Sequence, residues 1–218
     1  MRFEDWQYLW PPRPEKAIPK SLLSFYGKQK WVAQVKLNGT CNVLSVSPKN
    51  EIVAKSRHKD IESGNHRLWS PGPETKTAFV NLPRPNKGWY VFVAELMHSK
   101  VSGGPRNTNY IHDILVADGE YLVGKTFEER QAILRSLFPD IDETKSTVAY
   151  HVIDKNTWLA RNHVDVNLAD LYTSVITEDA YEGIVVKNPK AKLSLCSRQK
   201  SNSDWQIKCR RPHKNYGF

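Results

Sequence analysis

The sequence predicts an α+β fold in which antiparallel β-sheets are flanked by helices. Three observations carry this. Short apolar runs with period-two alternation recur along the chain, turn residues separate consecutive runs, and helical punctuation is confined to a few stretches. The 218 residues suit a single domain, 1–218. Within it, 1–30 read as an N-terminal wrapping segment and 187–218 as a basic C-terminal strand and tail.

Each element has its own warrant. Residues 1–30 are rich in Pro and aromatics, as in Trp10-Pro-Pro-Arg-Pro-Glu-Lys-Ala-Ile-Pro19, and are expected to wrap a surface in extended form rather than build the core. Residues 31–36 alternate like a strand. Residues 42–47 and 52–56 follow, joined through Pro48-Lys49-Asn50, and the three read as an antiparallel meander. The polar, Gly/Pro-rich stretch 58–88, with Ser70-Pro-Gly-Pro73, reads as a long loop or a short helix with loops. Residues 89–96 and 110–117 are strands, the second ending in the turn pair Asp118-Gly119. Thr126-Phe-Glu-Glu129 is a capping box. It opens a helix to about residue 138 that buries Phe127, Ile133, Leu134, Leu137 and Phe138, and Pro139 stops it. Residues 147–153 form a strand, 167–177 a helix, and 183–187 and 204–209 short strands.

Composition narrows the function. Hydrophobics make up 39% and charged residues 25%, which excludes a disordered or fibrous chain. No apolar run is long enough to span a membrane, and the N-terminus lacks a signal-peptide core. Three cysteines (Cys41, Cys196, Cys209) without C-x-x-C spacing argue against a disulfide framework or a Cys-rich zinc site and make the cytoplasm the expected compartment. The net charge is +9, and residues 187–218 hold nine Lys/Arg against Asp204. That end carries +8 of the total, which suits a polyanionic partner as well as a solvated tail.

The chemistry-bearing residues fall at strand ends. Lys36-Leu-Asn-Gly39 closes one strand and opens the next, with Gly allowing a tight turn. The same K-x-x-G spacing occurs at Lys100-Val-Ser-Gly103 and Lys214-Asn-Tyr-Gly217 without flanking strands. Charged residues then interrupt apolar strands in order: Ser56-Arg57, Glu95, His112-Asp113, Glu182-Gly183-Ile-Val-Val-Lys187, and Trp205-Gln-Ile-Lys-Cys-Arg210. Singly, each suits a solvent face. Together, with both signs present, they point to a shared site for a polyanion and a metal, because burying such groups unpaired is costly.

This ordered set resembles the nucleotidyltransferase domain of ATP-dependent polynucleotide ligases, whose superfamily includes mRNA capping enzymes. The family's K-x-D-G corresponds to Lys36-Leu-Asn-Gly39, and its arginine motif to Ser56-Arg57. Its acidic strand corresponds to Val93-Ala-Glu-Leu96 and the next strand to His112-Asp-Ile-Leu-Val-Ala-Asp-Gly119. Its E-G-x-x-x-K is matched by Glu182–Lys187 and its last K-x-K by Lys208-Cys-Arg210. The resemblance spans about residues 31–212 and implies a ligase-type, ATP-grasp-like fold.

The resemblance implies that Lys36 takes AMP from ATP, passes it to a 5′-phosphate, and that a 3′-hydroxyl then completes the joint. Lys187, Lys208 and Arg210 would join Lys36 as catalytic residues, holding the α-phosphate. Gln34, Val35, Asn38, Gly39, Arg57, Glu95 and His112 would bind the nucleotide with Lys36, Lys187 and Lys208, with Glu95 and Arg57 on the ribose. Glu182, with Glu95, would hold Mg²⁺ or Mn²⁺. Neighbouring cations would favour the free amine of Lys36.

The chain departs from the family's pattern at several of these positions. Asn38 replaces the usual Asp, Ala94 a common Gly, His112 an aromatic, and Arg210 a Lys. Gln34 stands where DNA ligases often carry Glu to accept from the adenine amino group. Cys41 occupies the arginine position of K-x-D-G-x-R, whereas Thr40 resembles the K-x-x-G-T-N of RNA ligases, with Asn42 displaced by one. RNA ends are therefore favoured over DNA. A minimal DNA ligase, a capping-type guanylyltransferase and a non-catalytic nucleic-acid-binding module remain as alternatives. No OB-fold domain is expected after Arg210, so substrate grip would fall to the basic tail and to aromatics such as Trp205 and Tyr216, for which plain core packing is an equal reading. The expected state is a monomer away from membranes.

Overall fold

A computed structural model describes residues 1–84, 88–97, 105–195 and 202–212. The alternating runs become strands of two sheets. The smaller holds β1 (Val32–Leu37), β10 (Tyr181–Lys187) and β11 (Gln206–Arg210), with β10 central. The larger has the order β4-β3-β2-β5-β6-β9-β8, with β7 also paired to β6. Its strands are β2 (Thr40–Val46), β3 (Ile52–Lys59), β4 (His66–Trp69), β5 (Tyr90–Met97), β6 (Thr108–Ala117), β7 (Glu120–Tyr121), β8 (Tyr150–Asp154) and β9 (Thr157–Ala160). The pairings are antiparallel except β6 with β9, which is parallel.

The predicted meander is corrected here. β2 and β3 pair as expected, but β1 leaves for the other sheet and pairs with β10. The crossing occurs at Asn38-Gly39. A Cβ on Gly39 would sit 2.5 Å from the Leu96 carbonyl oxygen and 2.7 Å from Glu95 Cγ, so only glycine lets the chain pass this close to β5. The consequence for function is direct: Lys36, at the end of β1, lies where the two sheets part.

Helices cover the sheets. Helix α3 (Phe127–Ser136) begins at the capping box read from sequence: Thr126 Oγ1 accepts from the Glu129 amide at 3.2 Å, and Glu129 Oε2 accepts from the Thr126 amide at 2.7 Å. It buries Phe127 and Leu134, followed by Leu137 and Phe138, but also Arg130. Helices α1 (Leu23–Lys28) and α4 (Leu168–Val175) pack with the three-stranded sheet, and α2 (Pro73–Val80) lies within the stretch read as a loop or short helix. Asn167 caps α4, its side-chain oxygen accepting from the amides of Ala169 and Asp170.

Two cores result. One joins the large sheet to Phe79, Leu134, Leu137 and Phe138. The other joins Val35, Ile184 and Val186 of the small sheet to Leu23, Tyr26, Leu168 and Tyr172. Ile184 and Val186 are wholly buried, each worth about 2 kcal/mol of apolar transfer, which pins the strand carrying Glu182 and Lys187. The N-terminal segment is not merely a wrap. Phe3 and Leu9 enter the first core, and Ile18, Leu23 and Tyr26 the second. Its extended part also bonds along β11: the Ile18 amide donates to the Lys208 carbonyl at 3.0 Å and the Lys208 amide to Lys16 at 3.1 Å. Apolar side chains spaced around prolines reach both cores without any periodicity that a sequence window would register.

Candidate active site

Lys36 and Glu182 meet across β1 and β10 through a local irregularity. Lys36 is paired with Gly183 and Leu37 with Tyr181, so Glu182 has no Cα partner in β1. Such a bulge re-aims a side chain, and here the Glu182 carboxylate accepts from Lys36 Nζ in an ion pair. Both side chains remain partly open, 24% and 28% exposed. Gly183 makes the bulge possible. Its φ is +141°, and a Cβ there would lie 2.1 Å from the Cys209 carbonyl oxygen.

Beside this pair is a cavity of about 110 Å³. Gln34, Val35 and Lys36 of β1 line it, with Glu95, Tyr110, His112 and Lys187 from β5, β6 and β10. Pro12, Arg13 and Pro14 close one side. The structure thus brings together Gln34, Val35, Lys36, Glu95, His112 and Lys187 from the sequence-predicted set, with Glu182 at Lys36.

The electrostatics of these groups follow from burial and from each other. Burial pushes the Glu95 carboxyl up to about 7; Glu182 adds to the rise, while Lys36, the Gly39 amide and Arg57 oppose it. Lys187 is 2% exposed, and its ammonium is lowered to about 8, chiefly by burial, with Asp113 opposing the shift and Arg130 adding to it. Its Nζ lies 4.8 Å from the centroid of the Phe127 ring, a cation–π contact that holds the amine in place. Burial, then Lys187, drives His112 down to about 3, so the imidazole is neutral at pH 7. Among the described residues, its Nδ1 is buried without a hydrogen-bond partner. A neutral ring at a cavity wall can stack on a flat ligand.

Behind Lys187 is a buried ion pair. Arg130 Nε and Nη2 donate to Asp113 Oδ1 and Oδ2 at 2.9 and 2.8 Å, with side-chain exposures of 0% and 1%. The guanidinium also lies 5.2 Å from the Trp205 ring centroid and 5.7 Å from that of Phe127. Trp205 is therefore core rather than an exposed nucleic-acid grip; with Val32 and Phe127 it forms a third cluster.

The other predicted residues sit around this centre. Lys208 Nζ donates to the Pro14 carbonyl at 3.2 Å, and burial, Arg210, Lys36 and Arg13 lower its pKa. Arg210 faces Gly183 across β11 and β10. Arg57, on β3, acts electrostatically on Glu95 but does not line the cavity. Asn38 is exposed in the crossing turn, and Gly39 contributes its amide to Glu95. The other K-x-x-G strings, at 100–103 and 214–217, lie outside the described residues, as does Tyr216.

The sequence reading missed Arg13, Tyr110 and Gln206 on the cavity wall. Tyr110 Oη donates to the Val35 carbonyl at 2.9 Å and ties β6 to β1. The signal for Tyr110 was its place two residues before His112, on the same strand face. Arg13, among prolines, carried none.

Among the described residues, no group of three or more His, Cys, Asp or Glu side chains forms a metal cage. Glu95 and Glu182 still suit Mg²⁺, which is commonly held by one or two carboxylates together with substrate phosphates. No helix of the described residues is long and apolar enough to cross a membrane.

Residues 100–206 match the ATP dependent DNA ligase domain family. By structure the chain is similar to the ligase domain of LigD from M. tuberculosis, with 13% identity and a TM-score of 0.61 over 94% of this chain and 60% of that one. It is also similar to mycobacterial DNA ligase D complexed with ATP and MES, with 13% identity and a TM-score of 0.58 over 95% and 62%. A third similar structure is Pmar-Lig_PreS3, with 14% identity and a TM-score of 0.57 over 94% and 47%. The chain spans about 60% of the length of the two ligase D structures. No curated protein matches it by sequence. The family match covers residues 100–206, just under half of the chain, and the architecture of the whole is that of the nucleotidyltransferase domains of ATP-dependent ligases.

Proposed function

We propose that this domain joins a 3′-hydroxyl to a 5′-phosphate on nucleic acid through a covalent AMP adduct on Lys36. The observation that supports the reading best is the position of Lys36. Its amine sits at the edge of a cavity lined by Gln34, His112 and Lys187 and is paired with Glu182. A nucleotide whose base enters beside Gln34 and His112 presents its α-phosphate to Lys36.

Lys36 leaves Glu182, gives up a proton to solvent and attacks the α-phosphorus of ATP; an N–P bond forms, and the α–β phosphoanhydride breaks to release pyrophosphate. The 5′-phosphate of the nucleic acid then attacks the same phosphorus, freeing Lys36 and creating a new phosphoanhydride. The 3′-hydroxyl attacks that activated phosphate, forming the phosphodiester and releasing AMP. Lys187, with Lys208 and Arg210 at its flank, supplies cationic donors for the charge that builds on the phosphoryl oxygens. Glu95, able to carry a proton near neutral pH, is suited to hydrogen-bond a ribose hydroxyl. Glu182, joined by Glu95 when that carboxyl is ionised, would hold a divalent cation, which would supply neutralisation of phosphate charge.

Two substrates have separate support. The DNA ligase domain family match favours DNA ends. Thr40, directly after Gly39, favours RNA ends by its likeness to RNA ligases. Sealing of nicked duplexes and single strands, each 5′-phosphorylated and built of DNA or RNA, with ATP and Mg²⁺, decides between them. Sealing of neither polymer, in a protein that binds both, overturns the ligase reading in favour of a binding module. A GMP adduct without an AMP adduct overturns it in favour of a guanylyltransferase.

A further inference from the structure

Gln34 is held by a chain of amides whose direction is fixed at its far end. The chain starts at the carbonyl of His112. The register between β5 and β6 shifts there: Val93 is paired with Asp113 and Ala94 with Ile111, so His112 has no Cα partner in β5. Its carbonyl accepts from two side chains, Gln131 Nε2 at 3.2 Å and Gln34 Nε2 at 3.4 Å. A carbonyl oxygen only accepts, so the nitrogen end of Gln131 must face it, and Gln131 Oε1 must face away. That oxygen accepts from Asn162 Nδ2 at 3.0 Å, which turns Asn162 Oδ1 towards Gln34. Asn162 Oδ1 then accepts from Gln34 Nε2 at 2.8 Å.

The chain is built on backbone. Asn162 follows β9, and the next residue bridges to β1: the Ala33 amide donates to the His163 carbonyl at 3.0 Å, and the His163 amide to Ala33 at 2.9 Å. Gln131 stands on α3, one residue after the buried Arg130. Gln34 itself is 2% exposed, so its amide has no freedom to turn unless these partners turn with it.

Both hydrogens of Gln34 Nε2 are used within this chain, and no donor among the described residues reaches Gln34 Oε1. Gln34 also lines the cavity beside Lys36. We infer that Asn162 and Gln131 are positioning residues that lock Gln34 with its oxygen towards the nucleobase, so that the site selects a base bearing an exocyclic amine, such as adenine, and rejects a 6-oxopurine. The inference rests on the reading of this cavity as a nucleotide site. The physics is one of unlike and like polarity. An amine donates to Oε1, whereas a 6-oxo group sets two acceptors against each other, and a site of fixed hydrogen-bond polarity discriminates strongly against the mismatched group. A free glutamine would turn its amide and accept either base.

Equilibrium binding of the α,β-methylene analogues of ATP and GTP tests this without any transfer step, by titration calorimetry on the full chain. The parent is expected to prefer the ATP analogue by ~30-fold or more. Asn162→Leu removes the acceptor that orients Gln34, and the preference is expected to fall ~10-fold. Asn162→Asp still accepts from Gln34 Nε2, and the preference is expected to hold within about 3-fold. A purely structural role for Asn162 would weaken both analogues equally and leave the ratio unchanged, which overturns the inference. So would equal relaxation by leucine and aspartate, or a parent that binds neither analogue. Asn162→Ala supplies the same reading if the leucine variant does not fold. A parent that binds with the expected preference but forms no AMP adduct contradicts the ligase proposal and leaves this inference standing.

Discussion

Arg130→Leu is expected to destabilise the domain by about 3–5 kcal/mol, because it strands a carboxylate in the interior. The guanidinium makes two hydrogen bonds to Asp113, and neither side chain reaches solvent to any useful extent. Burial alone would raise the Asp113 carboxyl, yet Arg130 outweighs burial and holds it below the usual carboxylate value. Domains of this kind have a total stability of about 5–15 kcal/mol, so the loss is a large fraction of it. At roughly 2–4 °C per kcal/mol for a chain of this size, it lowers Tm by about 10 °C. The pH dependence has a definite sign. A depressed carboxyl stabilises the fold above its unfolded value of 3.8, and that contribution is lost as pH falls through the folded value. The cost of Arg130→Leu is therefore greatest at neutral pH and shrinks below about pH 4. Urea denaturation followed by circular dichroism at pH 7 and at about pH 3 measures both numbers. The double variant Arg130→Leu with Asp113→Leu should recover part of the loss, since an apolar pair leaves no orphan charge. A single-variant cost below about 1 kcal/mol, independent of pH, would refute the reasoning.

Three further outcomes follow from the same structure. Glu95→Gln should leave stability unchanged near pH 4, where the carboxyl is neutral in both states, and raise it by up to about 3 kcal/mol at pH 8, because the raised folded value of about 7 penalises the charged form above the unfolded 4.5; equal stability changes at the two pH values would contradict the burial argument. Gly183→Ala, at a φ of +141° and against the Cys209 carbonyl, should cost at least about 1–3 kcal/mol in urea melts and separate Glu182 from Lys36, abolishing adduct formation. Thr126→Ala removes the cap of α3 and should cost about 1 kcal/mol without changing nucleotide preference.

Much of the site was legible because its residues announce themselves against their surroundings. Lys36, Glu95, Glu182 and Lys187 interrupt apolar strands, and the structure gathers all four around one cavity mouth. The capping box of α3 was legible because both of its bonds are local. What stayed hidden depends on partners distant in sequence. Nothing within residues 31–56 reports that β1 pairs with the distant β10 while β2 does not follow it. Strands β4 and β9 are four residues each, too short for alternation to stand out, and β9 exists as a parallel partner of β6. Arg130 has the spacing of a surface charge on an amphipathic helix; only Asp113, on another element, makes its burial tolerable. The Pro-rich start reads as a wrap, yet it delivers Arg13 to the cavity and aligns along β11.

The central claim is that Lys36 is the residue that carries the nucleotide. Incubation of the full chain with ATP and Mg²⁺, followed by intact-mass and peptide mass spectrometry, tests it most directly. One acid-labile AMP adduct, mapped to Lys36 and absent from a folded Lys36→Ala variant, is the predicted result. An unmodified protein, or an adduct on another lysine that persists in Lys36→Ala, would contradict it.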